Sequence, residues 1–240
     1  MQLTVKTGLP LGLAWNWVKF SFSIFRDRSI NFLVFGLFFL FFSLLPFIGS
    51  FLGSLVIVRI YLSADKVANQ ERFGLSLNLL EIIKQRNIIN FALFGMLLDL
   101  FMLSIFEYTL NYLQIDMSNP TLLTDTRVMT ILLGLSLFRV IFIGIALAIT
   151  TFNKEIPLYR ALLINWQFIF KNLIVIFFAV FLLLPFLLIP VYISSLIAAL
   201  FSNGFLFFIS GLLLLVFILV FINVIVIFSY KLYMDGVTHE

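Results

Sequence analysis

Ile30-Asn31-Phe32-Leu33-Val34-Phe35-Gly36 recurs along the chain as Ile89-Asn90-Phe91-Ala92-Leu93-Phe94-Gly95. Each copy opens a long apolar run, and each follows a basic knot. Arg26-Asp27-Arg28 precedes the first copy and Lys84-Gln85-Arg86 the second. A looser third start is Lys171-Asn172. The pattern reads as one unit used three times: an interfacial amphipathic helix, a basic seam, then a membrane hairpin.

Composition agrees with that reading. Of 240 residues, 63% are hydrophobic and only 11% charged, and the mean hydropathy is +1.19. Soluble domains carry about twice that share of charge. Several runs approach the roughly 20 apolar residues that span a bilayer as a helix. The runs are continuously apolar, not alternating, which disfavours a β-barrel. The expected class is an all-α polytopic membrane protein, a single integral domain over 1–240. The first 28 residues have no short apolar core before a small-residue cleavage site, so insertion is expected to begin with the first span.

The units fall at about 10–72, 73–153 and 154–235. In residues 10–27, Gly12, Asn16, Lys19 and Ser23 form a narrow polar stripe at helical spacing. Trp15, Trp17, Phe20 and Ile24 occupy the other faces. A helix lying at the membrane interface is expected, with packing against the bundle as the alternative. Gly74, Asn78, Glu81 and Gln85 repeat the stripe over 73–86, and 154–171 supplies a third basic interfacial segment.

Residues 30–63 hold no charge before Arg59. One helix over that run is about 50 Å long, too long for a single crossing. Leu45-Pro46-Phe47-Ile48-Gly49 is the natural break, giving spans near 28–46 and 49–66. Basic residues flank both ends, so the positive-inside rule asks for an even number of crossings. A re-entrant hairpin satisfies the same rule and stays open. The second hairpin is expected at 87–109 and 127–151. It is joined by an external loop with Asp116, Asn119-Pro120 and Asp125. The third runs over 172–200 and 205–230, with Pro185 and Pro190 breaking its first arm and Ser202-Asn203-Gly204 turning it. The result is six transmembrane helices with both termini cytoplasmic.

The order Trp17…Phe25-Arg26, then Leu44-Leu45-Pro46-Phe47-Ile48-Gly49, then Arg72-Phe73-Gly74-Leu75…Ile83-Lys84 resembles the BPSS-type bacterial integral membrane family of unknown function. More distantly it is similar to YciC-like proteins and to the membrane domain fused to some glycerophosphodiester phosphodiesterases. The first hundred residues carry the resemblance. It implies a bacterial inner-membrane protein and transfers no active-site residue. Ser29 follows Arg28 where such families often have proline.

Asp99 and Arg139 fall at similar depth on antiparallel spans. An unpaired charge there costs roughly 2.5–3.5 kcal/mol, so the two are expected to pair. With no second carboxylate or histidine at that depth, a register clamp is favoured over a proton or substrate site. Arg59 is expected to snorkel to the headgroups. Gly49 and Gly53 permit close helix approach, and Asn31, Asn90 and Asn172 read as helix-start residues, with hydrogen bonding between repeats as the alternative.

Cysteine is absent and the one histidine is His239, so no metal or cofactor is expected. No P-loop, nucleophile–histidine pair or close carboxylate pair supports an enzyme. The net charge of +4 reports orientation and anionic headgroups more naturally than nucleic acid. The expected function is a non-enzymatic scaffold or accessory subunit. It binds anionic lipid at the cytoplasmic face, or a protein partner or second copy, through the seam residues Arg26, Arg28, Lys84, Arg86 and Lys171. The alternative is a small transporter or lipid-handling protein with its site near Asp99 and Arg139.

Overall fold

A computed structural model describes residues 3–46, 48–115, 126–200 and 205–239. Among them, α1 (Gly12–Asp27), α2 (Ser29–Ser43), α3 (Gly49–Ala68), α4 (Leu79–Ile83), α5 (Arg86–Tyr112) and α6 (Thr126–Ile143) follow in order. Then come α7 (Ala146–Phe152), α8 (Leu158–Lys171), α9 (Leu173–Leu200) and α10 (Phe205–Gly236). The chain is nearly all-helical. Among the described residues, three helical segments are long and apolar enough to cross a membrane: Arg86–Tyr112, Leu173–Pro190 and Phe208–Gly236. Phe101, Phe177, Phe181 and Phe217 stand exposed on them. The external loop over Asp116–Asp125, the turn at Ser202–Gly204 and Phe47 within the first break lie outside the described residues.

The core gathers at one end. Ser50 at the start of α3 bonds Asp99, and Gly95 faces the Ser54 hydroxyl. α3 therefore runs antiparallel to α5, and α2 and α5 start together. Tyr230 at the end of α10 donates to Asp65 at the end of α3 at 2.8 Å. An antiparallel ribbon joins the end of α10 to the N-terminal segment: β1 (Leu3–Val5) pairs with β2 (Val237–His239). Asn172, just before α9, donates to Lys6 O at 2.9 Å and accepts from Leu9 N–H at 3.3 Å. The three helix starts and both chain ends thus share one end of the molecule. The ribbon is an addition to the all-α expectation.

α1 follows the expected stripe and packs more deeply than an interfacial helix needs to. Gly12, Asn16 and Lys19 are exposed, while Ala14, Trp17, Val18, Ser21 and Ile24 are buried at three-four spacing. Trp17 is fully enclosed and donates from Nε1 to Asp235 Oδ2 at 2.9 Å; Trp15 stays 52% exposed. The two recurring glycines mark helix crossings. A Cβ at Gly36 would lie 2.6 Å from Asn223 Nδ2 on α10, so an alanine there displaces the Asn223 side chain.

Several expectations are corrected. Helix over 73–86 shrinks to the five residues of α4. Asn78 adopts φ 47°, a left-handed conformation, and Ser76 bonds its side chain. Phe73 instead packs on Phe32 and Phe35. Small and polar residues that compete with the backbone explain this local choice. The fourth span is divided at Gly144–Ile145. Asn165 on α8 accepts the Ile145 N–H at 2.8 Å and donates to Phe142 O at 3.2 Å. Trp166 Nε1 also donates to Phe142 O, at 3.3 Å. Side chains thus replace the helical bonds lost at the break. Conversely, α9 runs through Pro185 and Pro190 without ending. Each proline removes one backbone bond, a loss that membrane helices absorb through neighbouring packing and local adjustment.

Candidate functional site

Asp99 is the fourteenth residue of α5, and Arg139 lies one turn before the end of α6. The structure brings them together. Arg139 donates from Nε to Asp99 Oδ1 at 2.8 Å and from Nη2 to Oδ2 at 3.2 Å, a forked pair. The Ser50 hydroxyl also donates to Oδ2. Asp99, part-buried, thereby receives three donors on its two carboxylate oxygens. The pair borders a cavity of about 200 Å³ that Ser43, Ser50 and Ser54 also line. The polar edge is a product of the α2–α3 packing. Gly53 admits the Phe39 ring of α2, and Gly49 sits against the Phe42 carbonyl. The small-residue pattern therefore closes a hairpin within the chain. Ser50 was the missed member of this group, and its spacing to Ser54 beside those glycines was the available signal.

The Ser50–Asp99 bond also sets depth. From Asp99 to Tyr112, α5 continues for about 20 Å at 1.5 Å per residue. The α2–α3 turn therefore stands beside the middle of α5, and its Leu44 is 81% exposed.

The basic residues occupy the opposite, seam end. Arg26 and Arg28 are exposed at the α1–α2 junction, and Arg26 has a loose contact with Asp27 at 3.8 Å. Lys171 is exposed at the end of α8. Lys84 and Arg86 line a cavity of about 260 Å³ with Lys154, a residue outside the predicted seam set. Arg26, Arg28 and Lys171 do not line it.

Arg59 does not snorkel. It is buried, with Nη2 donating to Gly74 O at 3.2 Å and the guanidinium 5.6 Å from the Phe35 ring centroid. It holds the non-helical 72–78 segment against α2 and α3, a job invisible in its local sequence. Long-range hydrogen bonds, the alternative reading, take the place of helix capping at two of the three asparagines. Asn172 ties down the N-terminal segment, Asn31 reaches Phe73 O at 3.5 Å, and Asn90 is exposed. Tyrosines tie α10 to the bundle in the same way: Tyr61 on α3 donates to Ser229 at 3.1 Å, and Asn153 donates to the Tyr233 hydroxyl at 2.9 Å.

Compared with known proteins, the chain matches no family model, no curated protein sequence and no solved structure.

Proposed function

We propose that this chain is a non-enzymatic protein of the bacterial inner membrane, a scaffold or accessory subunit. Its basic seams hold anionic lipid headgroups, and its apolar flanks take a protein partner or a second copy. One observation carries the reading: the exposed cations of three separate seams converge on one end of a bundle with exposed apolar helices. Positive residues favour the cytoplasmic side, so this end, with both termini, faces the cytoplasm. Each basic residue near an anionic surface contributes about 1 kcal/mol.

Purification in mild detergent followed by lipid mass spectrometry tests this. Anionic lipid should be enriched over the bulk membrane, and Arg26→Ala with Arg28→Ala and Lys171→Ala should reduce the enrichment. Retained lipid that mirrors the bulk extract in both proteins would sink the reading.

The architecture proposed with it is three related units with six membrane-embedded helices. α5 with α6–α7 and α9 with α10 form crossing pairs. The α2–α3 hairpin turns within the bilayer, as its bond to mid-α5 and its uncharged tip favour. A cysteine at Leu45 should resist an impermeant maleimide from either side, whereas one at Asn119 should label from outside. Strong external labelling at Leu45 would instead support a full crossing.

A second reading is a small transporter or lipid-handling protein. The specific observation in its favour is the serine-lined cavity beside Asp99 and Arg139. A substrate-dependent phenotype lost in a folded Asp99→Leu/Arg139→Leu protein would establish that reading over the scaffold.

A further inference from the structure

The geometry points to a preorganised site for one anionic phospholipid headgroup at the start of α5, formed by Lys84, Arg86 and Lys154 with Gln85 as the hydroxyl acceptor. The inference rests on the lipid-facing orientation proposed above and gives that reading a defined ligand position.

Four observations carry it. First, Lys84 and Arg86 meet Lys154 from a distant part of the chain around one cavity of about 260 Å³. No carboxylate lines the cavity, and among the described residues none of the three cations is in an ion pair. Three like charges around a cavity whose lining holds no carboxylate repel one another, and an anion in their midst reverses that sign. Second, the walls are held in place. Asn87 donates from Nδ2 to the carbonyls of Lys154 and Ile156, the latter at 3.2 Å. The loop carrying Lys154 is therefore fastened to the first turn of α5 before any ligand arrives, which lowers the ordering cost of binding.

Third, α5 is a 27-residue helix whose preceding residue, Gln85, is extended and provides no side-chain cap. The first N–H groups of a helix have no intrahelical partner and favour an anion. Fourth, Gln85 lines the same cavity, and its Oε1 is buried with no partner among the described residues. A buried carbonyl oxygen needs a donor. A phosphate oxygen cannot supply one, but a hydroxyl on the headgroup can. The combination selects a phosphodiester carrying a free hydroxyl, as in a glycerol-type headgroup. The volume suits a headgroup, being below the range of pockets that enclose a whole drug-sized ligand. Exposed Leu80 and Ile83 on α4 lie just before Lys84 and give the acyl chains an apolar neighbour.

Native mass spectrometry of the full chain in detergent, titrated with phosphatidylglycerol, tests the site. Phosphatidylcholine and soluble glycerol 3-phosphate serve as comparison ligands. The unaltered protein should retain one phosphatidylglycerol in preference to phosphatidylcholine. Lys84→Ala/Arg86→Ala/Lys154→Ala should weaken it on the order of a hundredfold, at about tenfold or less per charge. Gln85→Leu should narrow the preference for phosphatidylglycerol over phosphatidic acid, which has no headgroup hydroxyl. Melting of each variant without added lipid should match the parent, which separates lost binding from lost folding. Since a triple neutralisation could unfold, Lys154→Gln alone should still weaken binding severalfold.

The outcomes separate the two levels of the argument. Parent-like binding in the triple variant, with loss in Arg26→Ala/Arg28→Ala/Lys171→Ala, overturns the pocket and leaves the basic belt intact. No preference for anionic lipid in the parent overturns both. Competition by glycerol 3-phosphate at equal concentration overturns the lipid assignment in favour of a soluble phosphate ligand.

Discussion

Arg139→Leu is expected to destabilise the protein by about 2.5–3.5 kcal/mol, the scale on which an isolated charge resists mid-membrane insertion. It removes both donors of the fork and leaves Asp99 with the Ser50 hydroxyl alone. Asp99→Leu is expected to cost a similar amount, because Arg139 then keeps its charge without a carboxylate. The double replacement should recover most of either loss, since an apolar pair of similar volume removes the desolvation penalty along with the attraction. A double-mutant cycle on thermal unfolding in detergent isolates this coupling. Two silent single variants would show that the cavity solvates each charge and would remove the clamp. A double variant as unstable as the singles would show that the polar fork itself is needed for the packing of α5 on α3 and α6. Ser50→Ala offers a smaller, independent step of about 1.5–3 kcal/mol, the usual range for a hydrogen bond to a charged group.

Trp17→Ala should be the most damaging single change at the other end, costing about 3–5 kcal/mol as a large enclosed aromatic. Trp17 has no exposed surface, meets the Phe228 ring edge-on with centroids 6.2 Å apart, and donates to Asp235. It sits where α1 meets α9 and α10, so its removal opens a cavity at the junction that also carries the terminal ribbon. Asp235 retains Lys231 at 2.8 Å, so the carboxylate is not stranded and the loss is mainly one of packing. Trp17→Phe should therefore recover much of the stability. Trp15→Ala is the control, because an exposed position away from the core should change stability by no more than about 0.5 kcal/mol. Thermal unfolding of the three variants in one detergent checks the order. Equal effects at Trp15 and Trp17 would mean that α1 lies on the lipid surface and not in the bundle.

Periodicity made much of the fold legible. The stripe of Gly12, Asn16 and Lys19 marked the outer face of α1, and the alternation of basic knots with apolar runs marked where α2, α5 and α9 begin. Depth matching alone paired Asp99 with Arg139, because two charges on neighbouring antiparallel segments have few other places to go. Where the reading failed, a distant partner decided the local structure. The stripe at Gly74 and Asn78 has helical spacing, yet Phe73 is drawn onto Phe32 and Phe35, and Gly74 offers its carbonyl to Arg59. The run 127–151 looks unbroken, yet Asn165 and Trp166 both donate to the Phe142 carbonyl and permit a bend at Gly144. In α9 the error had the opposite sign, because proline is a weaker breaker where packing maintains the helix.

By itself, the sequence determined the membrane class, the basic seams and the helical content, because these follow from the transfer of side chains between water and lipid and from a 3.6-residue period. The tertiary structure alone decided how far the α2–α3 hairpin reaches, which surface helix is buried, and which cations share a cavity. The Ile30–Gly36 stretch shows why. Its hydrophobicity announces an apolar helix, but the crossing of Gly36 over Asn223 exists only once α10 has folded back beside it. Burial along a helix is a one-body property that composition records. Helix contacts are pairwise and long-range, and they arise when the packed bundle brings distant residues within hydrogen-bonding distance.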